Sequence, residues 1–297
     1  MNVLVIYGGT SSERDISLMS GSNIAEALQQ AGHKVTFFDP ASGMHKLSDS
    51  LRGIDVVFPI LHGKGGEDGF IQNALELENA KYVGSNSDVS ALCFDKWDTV
   101  QQAAHILFPK SELVSHENVA ESELVLKPYV IKPRSEGSSV DTFIVKNPEE
   151  FDLEDLKPIF AKYHDELLIE EYISGTEITV GILDEMPLPV VEIIPPAGQD
   201  FDYTNKYNGA TQELCPPKHV SIRLQQQAQQ IALNLHQTMG CRHFSRTDMI
   251  IDESKKIYTL EINTLPGMTK QSLLPLAAAQ AGYGLPKLVE LLITKAK

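Results

Sequence analysis

The sequence is short of the features that would place it in several common classes. It has only three cysteines, Cys93, Cys215 and Cys241, an odd number spread too widely for a zinc or disulfide pattern. They read as core or incidental thiols. No apolar run is long enough to span a bilayer. Basic residues are outnumbered, 25 against 40 acidic, and the resulting charge of −15 repels nucleic acid. That balance makes any basic residue in a cleft informative, because an anionic ligand then needs local positive charge. Repeats, linkers and low-complexity segments are missing too. The first residues, Met1 to Gly9, lack a basic flank and a cleavage pattern. They read as a buried strand rather than a signal peptide, and the expected location is the cytoplasm. What is left is an ordinary soluble composition, 42% apolar and 22% charged, over 297 residues, enough chain for two or three domains with their own cores.

Val3 to Tyr7 is a continuous apolar run that ends at Gly8-Gly9, as a central parallel strand does. A helical pattern follows, with Ile16, Met19, Ile24 and Leu28 expected towards the core and Gly32 as a stop. Lys34 to Phe38 is the next strand. Strand, glycine loop, helix, strand is the doubly wound pattern, in which ligands sit at strand C-terminal ends. Glu13 and Ser17 fall there, although Glu13 alone is better read as a carboxylate favoured by a helix N-terminus. Gly8-Gly9 is not the G-x-G-x-x-G fingerprint, so dinucleotide binding is not implied. A second buried strand, Val56 to Leu61, runs into His62-Gly63-Lys64-Gly65-Gly66-Glu67-Asp68-Gly69, ahead of a helix over Phe70 to Leu77. Four glycines interleaved with His, Lys, Glu and Asp allow close backbone approach to a ligand.

A first domain closes near Val89, and a helix over Ala91 to Ile106 carries Asp95-Lys96. Lys127 to Pro133 reads as a strand with Lys132 at its end, then a loop from Arg134 to Ser139, then a strand over Val140 to Val145. Such a loop can fold over phosphates through its N–H groups. It is not the P-loop, whose signature differs and which a helix follows. Leu167 to Ile173 is a strand leading into a segment. Thr176 to Ile182 alternates, with Ile178, Val180 and Ile182 inward and Glu177 and Thr179 on the other face. Pro195 to Pro217 is polar and aperiodic and holds Lys206-Tyr207; a loop that long in a compact domain is functional or disordered. A helix over Val220 to Met239 leads to the hairpin Asp248–Ile251 and Ile257–Asn263. Strand alternation puts Ile257, Thr259, Glu261 and Asn263 on one face. The hairpin brings Asp248 near Glu261, two carboxylates that repel unless a proton or cation lies between them. A hard divalent ion with oxygen ligands is the economical explanation. Arg246, on the same face as Asp248, suits an anionic substrate or charged transition state. On these residues alone, an ordinary hairpin with a solvated acidic face explains the pattern equally well.

The ordered set resembles the D-alanine–D-alanine ligases of the ATP-grasp superfamily over essentially the whole chain. His62-Gly63-x-x-Gly66-Glu67-Asp68-Gly69-x-Ile71-Gln72 looks like that family's first signature. Arg246-x-Asp248, then Glu261-x-Asn263-Thr264-x-Pro266-Gly267-Met268-Thr269, looks like its second. Gly8-Gly9-x-Ser11-x-Glu13-Arg14-x-Ile16-Ser17-Leu18 is similar to its N-terminal motif. Asp95-Lys96, Lys132-Pro133, Glu136-Gly137-Ser138-Ser139, Glu177 and Lys206-Tyr207 follow in the family's order. The resemblance implies an α/β, three-domain ATP-grasp fold with an N-terminal doubly wound parallel-sheet domain. Its units would be residues 1–89, a central subdomain over 90–175, and a C-terminal domain with metal site and lid over 176–297.

By matching positions, the resemblance implies ATP bound between the sheets of the last two units. Lys96 and Lys132 would meet its phosphates under the loop with Glu136 and Ser138. Glu170 and Glu177, with backbone groups at Glu171 and Ile173, would meet adenine and ribose, and Lys206 also belongs to this nucleotide set. Asp248, Glu261 and Asn263 would hold two Mg2+ ions, or Mn2+ in their place. Glu13 would bind the ammonium of the first D-alanine, with His62 near its carboxylate. Lys206, Ser272 and Leu273 would hold the second D-alanine's carboxylate, and Arg246 and the Gly267 N–H the tetrahedral intermediate. Tyr207 would meet Ser138, itself linked to Glu13, and goes with dipeptide rather than ester formation. A cytoplasmic homodimer engaged in peptidoglycan precursor synthesis is also implied.

Some positions depart from the family pattern. His243 stands where glycine is common, Thr247 where an aliphatic residue is, Leu265 where Ser or Asn is, and Glu171 where lysine is. Arg134-Ser135 reverses the usual order. The competing readings are a non-catalytic protein that kept the nucleotide fold, a ligase for other amino acids or for D-alanine with D-lactate or D-serine, and an ATP-grasp carboxylase. The last lacks a biotin or bicarbonate feature.

Overall fold

The computed structural model describes residues 1–196 and 210–296. Three sheets organise it. The first is parallel, in the order β2-β1-β3, from β1 (Asn2–Ile6), β2 (Lys34–Phe38) and β3 (Val56–Pro59). It bears α1 (Arg14–Gln30), a single turn α2 (Leu47–Ser50) and α3 (Phe70–Leu77). Val3, Val5, Val56, Phe58 and Ile60 pack with Ile24 and Leu28 of α1, the buried side expected from the apolar spacing. The expectation fails at Met19, which is half exposed, and at Ile16, which is only partly covered. The helix instead turns Ser17, Ser20 and Gly21 inward. Ser17 Oγ accepts from the Gly8 N–H and donates to the Ile60 carbonyl, so a polar seam ties the helix to the strand ends.

The helix expected over Ala91 to Ile106 is two helices, α4 (Ser87–Phe94) and α5 (Lys96–Gln102). Asp95 breaks them: its backbone is extended, and its side chain accepts from the Asp98 N–H to cap α5. The second sheet is antiparallel, β4-β7-β5-β6, from β4 (Ser111–Val114), β5 (Tyr129–Lys132), β6 (Phe143–Val145) and β7 (Leu167–Glu171). One further turn of helix, α6 (Lys157–Lys162), lies against it through Phe160. β6 starts three residues later than Val140, because Ser138, Ser139 and Asp141 all have left-handed φ and cannot extend.

The third sheet runs β11-β10-β8-β12-β13, with β9 on β8. Its members are β8 (Gly175–Leu183), β9 (Met186–Pro187), β10 (Val191–Ile194), β11 (Gln212–Leu214), β12 (Phe244–Asp252) and β13 (Ile257–Asn263). α7 (Ile222–Met239) covers it, capped by the Ser221 side chain. The hairpin register pairs Asp248 with Glu261 but Met249 with Thr259, so Leu260 is a bulge. Strict alternation therefore fails. Ile257 joins Met249 and Ile251 in the core, Thr259 is also buried, and both Leu260 and Glu261 face a cavity. Two last helices, α8 (Leu273–Gln280) and α9 (Leu285–Lys295), return to the first sheet, where Leu288, Val289, Leu292 and Ile293 complete its core. Cys93 and Cys241 are reduced and buried, with sulfurs 3.8 Å apart in an apolar cluster with Ile262.

Candidate active site

Two cavities of about 920 and 470 Å³ share Lys96, Glu136 and Glu261 as a common wall. The larger is lined by Glu13, His62, Glu67, Ser138, Arg246, Asn263, Gly267, Ser272 and Leu273 among others. The smaller lies between the two antiparallel sheets. Lys132, Glu170, Glu171 and Ile173 line it from one side, and Glu177 and Asp248 from the other. The sequence-derived residues thus fall into two adjoining groups. Lys206 and Tyr207 lie outside the described residues.

In the larger cavity, the Glu13 side chain does not cap α1; its Oε1 accepts a short bond from Ser138 Oγ across the cleft. Glu13 is buried, and a Cβ at residue 63 would come 2.8 Å from its Oε2, so the positive φ of Gly63 and its bare Cα make room for the carboxylate. Glu67 lies behind it and accepts from the Gly63 N–H at 2.7 Å. Burial first, then the charge of Glu13, pushes the Glu67 carboxyl up to about 8. The motif contained Glu67, but only the fold brings it against Glu13.

His62 is buried with Nε2 3.3 Å from Ser20 Oγ. Burial, then the Arg246 charge, lowers it to about 4, so it is neutral and cannot supply a cation for a substrate carboxylate. The unfolded chain binds a proton near pH 6.5 that the folded site refuses until about pH 4. The contribution of His62 to stability should therefore fall as pH drops through that window, by about 3 kcal/mol in all. Glu67, raised to about 8, acts in the opposite sense over part of this window, so the readout is a difference: the denaturant midpoint of the parent relative to His62→Gln should fall as pH drops from about 6.5 to 4.

The charge comes from Arg246. Its Nε and Nη2 donate to the two oxygens of Asp248 at 2.8 and 2.7 Å. Burial acts against its charge, and Asp248, then Glu261 and Glu67, raise its pKa further, so it stays a cation. Thr179, opposite Asp248 in the β8–β12 register, donates to Asp248 Oδ1 at 2.6 Å. This contact was readable only as Thr179 sharing a face with Glu177. Glu261 has Lys96 Nζ at 3.5 Å. Asp248 and Glu261 are thus held together by protein cations here. Among the described residues no group of three or more His, Cys, Asp or Glu is arranged around a metal position. The donor set still fits magnesium. Two carboxylates and a carboxamide are hard oxygen ligands, and Asn263 Oδ1, which accepts from the Leu265 N–H, keeps a second lone pair.

In the smaller cavity, Lys132 Nζ lies 2.6 Å from buried Glu170. Lys96 Nζ donates to the Glu136 carbonyl at 2.6 Å, pinning the loop that divides the cavities. The Glu171 side chain is exposed. At the far end of the larger cavity, Ser272 precedes α8 and its Oγ accepts from the Thr269 N–H. A helix N-terminus with Leu273 at its first position favours an anion.

All but one of the remaining unusual positions have physical accounts. His243 has the left-handed φ of +65° that explains glycine there, and its Nδ1 accepts from the Gly84 N–H. Leu265 is buried in the first core. Arg134 is bound by Asp95, Asp98 and Glu166. Nothing in the structure explains threonine at position 247.

Residues 39–85 match the family description "D-ala D-ala ligase N-terminus" and residues 95–294 "D-ala D-ala ligase C-terminus". The D-alanine–D-alanine ligase of Maridesulfovibrio salexigens is 41% identical over 299 residues, covering 99% of this chain and 97% of the relative. Among solved structures, the D-alanine–D-alanine ligase of Bacillus anthracis complexed with ATP superposes with a TM-score of 0.86 at 31% identity, over 99% of this chain and 97% of that one. The VanG D-Ala:D-Ser ligase of Enterococcus faecalis superposes with a TM-score of 0.82 at 28% identity, over 99% and 98%.

Proposed function

The chain belongs to the D-alanine–D-alanine ligase family, and from that premise we propose how its two cavities divide the reaction. The enzyme is an ADP-forming ligase of the ATP-grasp fold. It joins two D-alanines into D-alanyl-D-alanine at the expense of ATP, for peptidoglycan precursor synthesis.

A carboxylate is a poor acyl donor because oxide would have to leave. Phosphorylation by ATP gives an acyl phosphate, which the amine of the second D-alanine attacks with loss of phosphate. In our reading ATP occupies the smaller cavity. Its base and ribose lie against Glu170 to Ile173 and Glu177, and its phosphates point along Lys132 and Lys96 towards the shared wall. Asp248, Glu261 and Asn263 hold magnesium there, which when bound neutralises charge on the transferring phosphoryl group. The first D-alanine lies in the larger cavity with its ammonium on Glu13, oriented by Ser138. The neutral His62 donates a hydrogen bond to its carboxylate, and Arg246 carries the positive charge. The second D-alanine's carboxylate takes the α8 N-terminus at Ser272 and Leu273. Arg246 and the Gly267 N–H then face the oxyanion of the tetrahedral intermediate. Lys206 and Tyr207, which lie outside the described residues, would on the family resemblance help to keep water from the acyl phosphate. We also assign the units 1–89, 90–175 and 176–297 to separate domains, and the working protein to a cytoplasmic homodimer.

The observation that carries this reading is the wall common to both cavities, where Lys96, Glu136 and Glu261 meet beside Arg246. A phosphoryl group can pass there from one bound molecule to another. Phosphate release from ATP and Mg2+ should be measured with D-alanine, L-alanine, D-serine and D-lactate, with products identified by mass. Release tied to D-alanyl-D-alanine and absent with L-alanine is expected. A mixed product from D-serine or D-lactate in preference to the dipeptide would overturn the assignment of the second subsite.

A further inference from the structure

The loop between β5 and β6 walls both cavities. Gly137 and Ser138 face the larger one, and Ser139, Val140 and Thr142 the smaller. Its shape is costly. Ser138, Ser139 and Asp141 have φ of 51°, 57° and 52°, a region that strains residues with a Cβ. The internal bonds are modest, Val140 N–H to the Gly137 carbonyl at 3.1 Å and Thr142 N–H to the Ser139 carbonyl at 3.4 Å. Such a backbone persists only when its surroundings hold it. At one end Ser138 is bonded to Glu13. At the other, Asp141 Oδ2 accepts from Tyr163 Oη at 2.6 Å and from Lys162 Nζ at 2.5 Å.

Asp141, Lys162 and Tyr163 line neither cavity. They stand behind the loop, and their support is firm because α6 is rooted by buried Phe160 in the core of the four-stranded sheet. Burial alone would raise the Asp141 carboxyl; the bonds from Lys162 and Tyr163 outweigh it and hold the group below the usual carboxylate range. Burial and the bond to Asp141 push the Tyr163 hydroxyl up to about 12. The triad therefore keeps its charges, an anion between an ammonium and a neutral phenol, across the physiological range. An ion pair whose lysine side chain is 55% exposed contributes little to global stability. Its effect is local.

We propose that Asp141, latched to Lys162 and Tyr163, is a positioning residue for nucleotide binding that holds the 136–142 loop in its strained, cavity-forming stance. The proposal rests on the reading of the smaller cavity as the nucleotide site. Without the latch the loop spends most of its time in relaxed shapes, and apparent affinity falls by the fraction of time it is competent.

The test is calorimetric titration of the whole enzyme with ADP in Mg2+ buffer, together with KM for ATP and thermal unfolding. The variants are Asp141→Gly, Tyr163→Phe, their double variant, and Lys132→Met. Asp141→Gly removes the latch and also relieves the side-chain cost of the left-handed backbone, so its loss of affinity is a lower bound, and Tyr163→Phe, which leaves the strained backbone untouched, is the cleaner probe. It should weaken ADP and raise KM for ATP about tenfold, with kcat at saturating ATP within about threefold and an unchanged unfolding temperature. Tyr163→Phe should weaken ADP less, and the double variant no more than Asp141→Gly, since both break one latch. Unchanged ADP affinity in folded Tyr163→Phe and Asp141→Gly alike, or additive losses in the double variant, would overturn the latch. Lys132→Met separates the two levels: if it weakens ADP while neither Tyr163→Phe nor Asp141→Gly does, the latch alone fails. If Lys132→Met leaves ADP binding intact, the nucleotide-site reading fails and the latch with it.

Discussion

Replacing Arg246 with alanine should lower kcat by about a hundredfold to a thousandfold. Removing one preorganised donor to an oxyanion costs two to three orders of magnitude in other enzymes, roughly 3–4 kcal/mol. Arg246 is the cation beside Glu67, Asp248 and Glu261, and it is paired to Asp248 through two bonds. Neutral His62 cannot replace it. The alanine variant also leaves Asp248 buried without its ion-pair partner, a loss of a few kcal/mol of stability. Arg246→Lys separates the two effects. It keeps the charge but not the planar fork, so it should stay folded and still lose at least about a hundredfold in kcat. Single-turnover phosphate release is the readout, and activity of Arg246→Lys within tenfold of the parent would remove Arg246 from the chemistry.

Glu261→Gln should lower kcat by about a hundredfold and raise the Mg2+ concentration for half-maximal rate by a similar factor. Even residues one step removed from a metal shift its affinity 10- to 100-fold, and Glu261 is assigned as a direct ligand. The substitution keeps shape and one oxygen donor but removes the charge that faces both cavities. It also takes the carboxylate from Lys96, which stands 3.5 Å away. A rate–Mg2+ curve that does not move, with kcat lowered, would mean that Glu261 serves Lys96 and not a metal.

The hairpin that carries these residues was legible because its residue types recur at the strand period and its turn is punctuated by polar residues. The glycine-rich loop after His62 was legible for the same reason, and Phe70–Leu77 forms as a helix with the bounds expected. What was hidden depends on contacts between distant segments. Leu260 bulges out of the ladder so that Glu261 can stay opposite Asp248 while Met249 meets Thr259. No local pattern in β13 announces that slip. Asp95 ends one helix and caps the next because Arg134, 39 residues on, takes its other oxygen. Met19 sits at a helical spacing that suits a core, yet the inward positions beside it are Ser17, which bonds the strand ends, and Ser20 and Gly21. Glu67 was visible in its motif, but its pairing with Glu13 comes only from the fold.

The last helix has a consequence for how the molecule comes into being. Val3 and Val5 near the first residues share a core with Leu288, Val289, Leu292 and Ile293 near the last, and Asn23 bonds the Met268 carbonyl 245 residues away. Such separations are among the slowest contacts to close. On the ribosome, the first sheet must therefore wait, with apolar surface uncovered, until Leu288 to Ile293 have emerged. Synthesis thus leaves a window in which that apolar surface stays open to association, and the larger cavity, walled by residues from Glu13 to Leu273, is assembled only as that window closes.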